Sequence, residues 1–595
     1  MTRQETIVRR LAALRSLMQT QQLDAFIFPS TDPHHGEYVP DHWKGREWIS
    51  GFDGSAGTAV VTATHAALWT DSRYFIAAAQ QIQGTGYTLM RERIAGTPTV
   101  AQWLGSELSG KGGGRIGIDG MVFSAAAVNA LESELAALGD FTVVTSLDPL
   151  QTIWTDRPTL PQDAVAVHPV EYAGETASSK LRRIREAVRR HGDSILVSAL
   201  DDIAWTLNLR GSDVHCCPFF VAYLLITPTD AVLFVDPAKV SEEVKTALRE
   251  AGVRTDDYGH VAQVLWQMTA GRIVLDPNVV NHTLFAAPAC EVVCAPSPIP
   301  AMKAVKNATE IEGYRRAMLR DGVAMVKFLA WLKPAVERGG ETELSIDRKL
   351  TSLRAEQPLF RGLSFDTIAG YGEHGAIVHY EATPESDIEL RPEGLLLLDS
   401  GAQYLDGTTD ITRTIALGPL TEEQRRVYTL VLKGHIRLQM LKFPEGACGS
   451  QLDAVAREPL WREGLNFLHG TGHGVGSYLS VHEGPHQVRM EWMPAPLYAG
   501  MTLTDEPGIY VAGSFGVRTE NMLLITPYTT TDFGTFLQFE TLTLCPIDTT
   551  PVIVSLLSDD ERAWLNDYHQ RVRELLTPSL TPEEAAWLEE ATRPL

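Results

Sequence analysis

The segment LLLLDSG constrains the fold more than any other part of the chain. Four consecutive leucines, Leu395 to Leu398, predict a buried strand, and Asp399 follows them directly. A carboxylate at the end of such a strand is costly to bury unless a positive group meets it. The chain must therefore bring a cation or a basic side chain to this acid.

A second acid, Asp410, follows after an Asp406-Gly407 turn signal that suits a two-residue hairpin. Counting through that hairpin places Gln403 opposite Asp410, so Asp399 and Asp410 project from the same face. The two acids are still offset by four residues, roughly 13 Å at ~3.3 Å per residue. A regular ladder cannot bring both to one ion, which predicts a bulge or a sharp bend between them.

The segment HGTGHGVG supplies His469 and His473. Its glycines disfavour a helix by about 1 kcal/mol each, and in an extended segment the two rings lie too far apart to bind one metal. One histidine is therefore expected to bind the metal and the other to support the site. Glu506 in TDEPG and Glu520 in VRTEN complete a set of four carboxylates and one imidazole, which favours Mn²⁺ over a thiolate zinc site.

Two zinc patterns are rejected. Residues 482–486 read HEGPH, but Gly484-Pro485 prevents the helix that the HExxH motif requires. Cys290 and Cys294 lack His or Cys partners at zinc-site spacing. The chain has six cysteines and no CxxC pair, which is typical of unpaired thiols in a reducing compartment.

Composition narrows the class of protein. The 595 residues carry a net charge of −23, and an acidic surface of that size repels phosphate backbones, so no nucleic-acid partner is expected. The apolar runs are shorter than the ~20 residues of a membrane span, so no membrane partner is expected. The first twenty residues mix charges into an amphipathic pattern that does not resemble a signal peptide, which predicts a cytoplasmic location.

Proline-rich segments at residues 156–162 and 295–300 predict three domains, 1–155, 156–303 and 304–595. The first two are read as α/β segments of similar order, which suggests a duplicated fold. The third is read as α+β or α/β and begins with a helix over residues 308–332.

Five segments carry a resemblance to a known family: HGAIVHY, LLDSGAQYLDGTTDITRT, HGTGHGVGSYLSVHEGP, TDEPGIY and GVRTEN. Together they resemble the creatinase/prolidase-type metallopeptidases, and most closely the long, three-domain aminopeptidase P branch, which removes an N-terminal residue that precedes proline. Further matches, such as PSTDPHHGEYVP and IAWTLNLRGSDV, extend the resemblance over nearly the whole chain. It implies two creatinase-like N-terminal α/β domains followed by a pita-bread catalytic domain.

The resemblance also implies two Mn²⁺ ions per subunit, with Zn²⁺ or Co²⁺ as substitutes, a homodimer, and peptides with proline in the second position as substrates. It assigns the residues as follows: metal ligands Asp399, Asp410, His473, Glu506 and Glu520, with Asp410 and Glu520 bridging both ions; catalytic residues Glu506, His379, His469, His482 and Arg518; substrate-binding residues His379, His469, His482 and Arg73; and Trp461 at the dimer contact.

Two alternatives remain open at this point. A prolidase-type Xaa-Pro dipeptidase has the same metal ligands and differs in the length of peptide it accepts. A non-enzymatic pita-bread module that binds peptides typically lacks intact ligands, whereas all five are present here. Residues 215–217 and 486–492 match no pattern of the family, and they could alter substrate access.

Overall fold

The computed structural model describes residues 2–595, which form two compact units. The first consists of Met1–His168 and Glu175–Ile299, and the second of Pro169–Gly174 and Pro300–Leu595. The six-residue segment 169–174 thus belongs to the unit formed by the C-terminal half of the chain. The predicted boundaries after residues 155 and 303 stay a prediction.

The first unit begins with a six-stranded sheet of order β4-β3-β2-β1-β5-β6. Pairs β1–β2 and β2–β3 are antiparallel and the other three are parallel. The first helix starts at a capping box between Thr2 and Glu5 and buries Leu11 and Leu14 against this sheet's core. The elements are α1 (Arg3–Thr20), β1 (Ala25–Pro29), α2 (Gly45–Ser50), β2 (Thr58–Thr62), β3 (Ala66–Thr70), α3 (Phe75–Gln81), β4 (Tyr87–Arg91), α4 (Val100–Glu107), β5 (Gly113–Gly117), α5 (Ala125–Ala136), β6 (Asp140–Val144) and α6 (Leu150–Ile153).

A second six-stranded sheet repeats this arrangement with order β12-β11-β10-β8-β13-β14. Its parallel and antiparallel pairs fall at the same places as in the first sheet, which agrees with the predicted duplication. The elements along this part of the chain are β7 (Ala166–Val167), α7 (Val170–Ala173), α8 (Ala177–Val188), β8 (Ser194–Val197), α9 (Leu200–Leu207), β9 (Leu209–Arg210), β10 (Tyr223–Ile226), β11 (Ala231–Phe234), α10 (Glu242–Glu250), β12 (Arg254–Asp256), α11 (Val261–Gln267), β13 (Arg272–Leu275), α12 (His282–Phe285) and β14 (Glu291–Cys294). Of these, α7 lies in the segment 169–174 and belongs to the second unit.

The second unit packs helices around several small antiparallel sheets. Its elements are α13 (Ile299–Ala304), α14 (Ala308–Arg338), α15 (Glu343–Ala355), β15 (Phe360–Leu363), β16 (Ile368–Tyr371), β17 (Leu395–Ser400), β18 (Ala402–Tyr404), β19 (Gly407–Thr408), β20 (Ile411–Ala416), α16 (Glu422–Met440), β21 (Lys442–Pro444), α17 (Gly449–Trp461), β22 (Gly472–Gly474), β23 (Glu483–Val488), β24 (Thr502–Asp505), β25 (Gly508–Val511), β26 (Phe515–Arg518), β27 (Asn521–Thr531), β28 (Gly534–Thr541), α18 (Asp559–Leu576) and α19 (Pro582–Ala591). None of the helices in residues 2–595 combines the length and the apolar character needed to cross a membrane.

Helix α14 is longer than predicted and starts at a strong cap. Asn307 accepts hydrogen bonds from the first turn, and Glu310 completes the capping box. The Asn307 amide also donates to the Ala173 carbonyl at 2.8 Å, which attaches the segment 169–174 to this helix. Gly174 has a φ of +72°, and a Cβ there would lie 2.2 Å from Asn307 Oδ1. A glycine is therefore required at that contact.

The hairpin between the two predicted acids has a different register from the predicted one. Gln403 pairs with Thr408, not with Asp410, so the turn consists of Leu405 and Asp406. The prediction assumed that the Asp-Gly pair would form the turn, as it does in many isolated hairpins. Tertiary contacts of the aspartate override that preference.

Those contacts come from α14. The buried Asp406 carboxylate pairs with Arg316 at 3.3 Å and also with Arg320. A bend follows from Gly401, where a Cβ would lie only 2.1 Å from the Thr409 carbonyl oxygen. The bend places β17 and β20 in one sheet and β18 and β19 in another. The predicted bend between the acids is therefore present.

Candidate metal centre

The shifted register brings the first two acids closer than predicted. Asp399 pairs with Thr412 across β17 and β20, and Asp410 immediately precedes β20. The acids are therefore two positions apart in register rather than four. Ligand atoms of Asp410, His473 and Glu520 all lie within 4.8 Å of one another, which is a spacing at which side chains share a metal ion.

Glycines explain how His473 reaches this site. A Cβ on Gly472 would lie 1.9 Å from the Thr504 carbonyl oxygen, so only glycine lets β22 pass so close to β24. The His473 Nδ1 proton is donated to the Gly474 carbonyl at 2.9 Å. In the neutral ring Nε2 then carries the lone pair, and it lies 3.5 Å from Asp410 Oδ2 and 3.5 Å from Glu506 Oε1.

The positive group that Asp399 requires is Arg518. Its guanidinium donates to Asp399 Oδ2 from Nη2 at 2.7 Å and from Nε at 3.2 Å. The other oxygen, Asp399 Oδ1, is buried and has no hydrogen-bond partner within residues 2–595. Such an atom is expensive to leave unpaired, which indicates a position where a ligand bonds.

Tyr510 joins His469 to the same centre, and the sequence reasoning missed it. Arg518 Nη1 donates to the Tyr510 hydroxyl at 2.7 Å, and that hydroxyl donates to His469 Nε2 at 2.8 Å. Burial raises the pKa of Tyr510 to about 12, so its hydroxyl keeps its proton. The signal was present in TDEPGIY, but an aromatic residue in a strand is usually a core residue.

The acids repel one another. Burial raises the pKa of Asp410 well above its usual range, and the Asp399 and Glu506 carboxylates raise it further. The pKa of Glu520 is raised in the same way, by burial and then by Asp410 and Asp399. Thr412 donates to Glu520 Oε2 at 2.8 Å, which fixes that carboxylate toward the centre.

This donor set fits divalent cations. Four carboxylates and one imidazole converge on one centre, and Arg518 supplies a single positive charge against them. The orphan oxygen of Asp399 and the mutual repulsion of the acids would both be relieved by hard cations, which prefer oxygen ligands. The group of ligand atoms close enough here to share an ion, from Asp410, His473 and Glu520, contains no cysteine sulfur.

The rejected HExxH motif is not helical, which agrees with the prediction from its Gly-Pro pair. Residues Glu483–Val488 form β23, and His486 donates from Nε2 to the Thr502 carbonyl at 2.7 Å in the core. His482 instead stacks edge-on against His473, with ring centroids 4.4 Å apart. The two histidines of the motif therefore have separate surroundings, and only His482 adjoins the centre.

The predicted residues His379 and Arg73 belong to other segments of the chain. His379 follows the 3-10 turn Gly372–Ala376. That turn comes directly after strand β16, which pairs with β17. Arg73 belongs to the first unit, where its guanidinium pairs with Asp71 at 2.8 Å and with Glu37 at 3.3 Å. Its predicted contact with substrate stays a prediction.

Fold and site together define a metallopeptidase with creatinase-type N-terminal domains, and the chain belongs to metallopeptidase family M24, which residues 312–527 match. Residues 10–148 and 156–310 each match a Creatinase/Prolidase N-terminal domain, and residues 535–595 match the C-terminal region of peptidase M24. The predicted family and fold class are confirmed.

Relatives that match this chain over nearly its whole length include aminopeptidases P. Aminopeptidase P1 of Arabidopsis thaliana is 38% identical, over 98% of this chain and 99% of its own length. The crystal structure of the X-prolyl aminopeptidase from Caenorhabditis elegans, described as a cytosolic enzyme with a di-nuclear active site, is 36% identical with a TM-score of 0.94, covering 99% of this chain and 100% of that one. The Xaa-Pro dipeptidase from Bacillus anthracis is 24% identical with a TM-score of 0.51, covering 63% of this chain and 99% of that one, which shows a shared fold alone.

Proposed function

We propose that this protein is an Xaa-Pro aminopeptidase that hydrolyses the bond before a proline in the second position of a peptide. The observation that carries the proposal is the convergence of all five predicted ligands and Arg518 on one centre, in a chain similar to aminopeptidases P over its whole length. Intact ligands argue against a non-enzymatic peptide-binding module.

Two divalent ions would be held by Asp399, Asp410, His473, Glu506 and Glu520, and the oxygen-rich set favours Mn²⁺. When bound, such ions lower the pKa of water and polarise the scissile carbonyl group. Asp410 and Glu520, the most deeply buried of the acids, are the proposed bridging residues.

Glu506 is proposed to move the proton. Its side chain is 19% exposed, against 5% for Asp410, so its carboxylate is the acid that faces a bound peptide most openly. It would accept the proton of the attacking water and deliver it to the proline nitrogen. His482, beside His473, and His379 would donate hydrogen bonds to the carbonyl oxygen as negative charge develops there.

Arg518 and Tyr510 act on the rest of the site. Through its two bonds to Asp399 Oδ2, Arg518 fixes the carboxylate near which the free α-amine of the peptide would bind. The Tyr510 hydroxyl bonds to both Arg518 and His469, and it thereby fixes the His469 ring relative to Arg518. A requirement for a free amine explains why only N-terminal residues would be removed.

The protein is proposed to form a homodimer and to reside in the cytosol. Trp461 is 45% exposed at the end of α17, and its Nε1 donates to Asn466 at 2.9 Å, which holds the ring at the surface. Trp461 is the residue proposed for the dimer contact, since tryptophan is enriched among the residues that dominate protein interfaces. The six cysteines form no disulfide bond within residues 2–595, which suits a reducing compartment.

The test compares Arg-Pro-Pro, Arg-Ala-Pro, N-acetyl-Arg-Pro-Pro and the dipeptide Arg-Pro, with the protein chelated and then reloaded with Mn²⁺. An alanine in the second position brings an N–H that the proline site leaves unpaired, at ~1–3 kcal/mol, which corresponds to roughly a ten- to hundredfold slower release of arginine. Acetylation should abolish cleavage.

Three outcomes would contradict the proposal. Equal rates on the proline and alanine peptides, or efficient cleavage of the acetylated peptide, would exclude an Xaa-Pro aminopeptidase. Cleavage of Arg-Pro without cleavage of Arg-Pro-Pro would favour the dipeptidase. Loss of activity on chelation and its return with Mn²⁺ but not with Mg²⁺ would support the proposed metal.

A further inference from the structure

His379 is carried by a loop, residues 371–380, which runs from the last residue of β16 through the 3-10 turn Gly372–Ala376. The loop leaves β16, whose Ile368 pairs with Asp399. A side chain that must meet a substrate oxygen needs a fixed backbone, because a misplacement of about 1 Å costs on the order of a hundredfold in rate. Something outside the loop must therefore hold it.

One end of the loop is held by close backbone packing. A Cβ on Gly516 would lie 1.7 Å from the Gly375 carbonyl oxygen, so the turn Gly372–Ala376 rests directly on strand β26. That strand ends at Arg518. The start of the loop is thereby placed relative to the metal centre, but this contact does not reach His379.

One carboxylate, that of Glu343, contacts both ends of the loop. It is the first residue of α15 and is fully buried. It accepts hydrogen bonds from the Tyr371 backbone N–H at 2.8 Å, from His374 Nδ1 at 3.0 Å to each oxygen, and from the Tyr380 hydroxyl at 2.8 Å. All three donors belong to residues 371–380.

The three bonds bracket His379. Tyr380 follows it directly, and His374 precedes it within the same loop. The rings of His374 and Tyr380 also pack together, with centroids 4.4 Å apart and planes at 30°. The hydrogen bond to Glu343 raises the pKa of His374, which makes that bond charge-assisted when the ring is protonated.

We propose that Glu343 is a positioning residue of the reaction: its carboxylate binds three donors of the loop 371–380 and thereby sets the place of the His379 imidazole at the substrate carbonyl. This inference rests on the proposed function. Glu343 itself does not touch the reacting atoms, so its effect must act through His379.

The test uses the Mn²⁺-loaded enzyme with Arg-Pro-Pro and four variants: Glu343→Ala, Glu343→Gln, His379→Ala and the double variant Glu343→Ala/His379→Ala. We expect Glu343→Ala to lower kcat by roughly ten- to a hundredfold with bound metal unchanged. Glu343→Gln keeps an acceptor oxygen and should stay within about threefold of wild type. In the His379→Ala background, Glu343→Ala should lower kcat by less than a further factor of about two, because both substitutions act through the same imidazole.

Glu561 provides a matched control. It is also a buried glutamate with three donors, from the Ser558 N–H at 2.7 Å, Lys433 at 2.6 Å and Arg437 at 2.8 Å. Glu561→Ala should lower the unfolding temperature and leave kcat unchanged. If Glu343→Ala fails to fold, Tyr380→Phe, which removes one donor to the same carboxylate, replaces it in the same double-variant comparison.

Several results would overturn the inference. They are a wild-type kcat in Glu343→Ala, an equal loss in Glu561→Ala, a loss of bound metal, or effects of Glu343→Ala and His379→Ala that multiply. Failure of the wild-type enzyme to cleave Arg-Pro-Pro would overturn the proposed function and this inference with it. Cleavage by wild type with no effect of Glu343→Ala would overturn this inference alone.

Discussion

Replacing Lys306 with methionine removes one charge from a buried ion pair beside His482. The side chains of Lys306 and Glu483 are each 1% exposed, and the ammonium donates to Glu483 Oε1 and, at 2.8 Å, to the Lys303 carbonyl. The second oxygen, Glu483 Oε2, has no hydrogen-bond partner in the described residues 2–595. The lysine is therefore the group that offsets the cost of burying this carboxylate.

Removing one partner of a buried pair costs about 3–5 kcal/mol, since the other charge stays buried. Unfolding entropy is near 2.1 cal/mol/K per residue, so for a unit of roughly 300 residues we expect the midpoint to fall by roughly 5–8 °C. Scanning calorimetry measures this on the transition of the second unit. In the double variant Lys306→Met/Glu483→Gln both charges are gone, and at least half of the loss should be recovered.

The matched control is Lys245→Met. Lys245 pairs with Glu242 on the surface of the first unit, with side chains 43% and 79% exposed, and the midpoint of that unit's transition should shift by less than about 1 °C. A shift for Lys306→Met as small as that of the control would refute the reasoning. So would a double variant that loses the sum of the two single losses, because the two charges would then not be coupled.

Other perturbations test the rest of the structure. Asp410→Asn or Glu520→Gln should abolish activity and lower bound metal while the unfolding of the first unit stays unchanged; wild-type turnover with two bound ions would contradict a bridging role. Arg413→Met should lower the unfolding temperature, because core acceptors such as the Cys545 carbonyl, which Arg413 bonds at 2.9 Å, lose their donor at a cost of about 1–3 kcal/mol each. A wild-type unfolding temperature would contradict this prediction. Light scattering should give twice 65.4 kDa, and Trp461→Ala should shift that mass toward the single chain; a fully active monomer would exclude the dimer.

The correct predictions from the sequence came from local patterns of residues. The leucine run predicted a buried strand ending in an acid, and the structure supplies the expected positive group as Arg518. The glycines around His473 predicted an extended segment, and β22 is one because its backbone passes close to Thr504. In these places the local preference and the tertiary contacts agree.

The errors and omissions came from partners far away in sequence. The hairpin turn shifted because Asp406 is bound by Arg316 and Arg320 of α14, and no local rule reports those arginines. Tyr510 and Glu343 were missed for a related reason: each resembles an ordinary strand or helix residue until its long-range hydrogen bonds are known. Register and supporting contacts are set by such pairings.

The segment 169–174 makes the catalytic unit discontinuous along the chain. During synthesis these residues emerge well before Asn307, so the site that receives the Ala173 carbonyl does not yet exist when they appear. A fragment that begins at residue 300 lacks a piece of its own fold. Exchange of N-terminal halves between relatives must therefore carry residues 169–174 along with the catalytic unit. A single crossover point near residue 300 would separate Gly174 from the helix cap that it contacts.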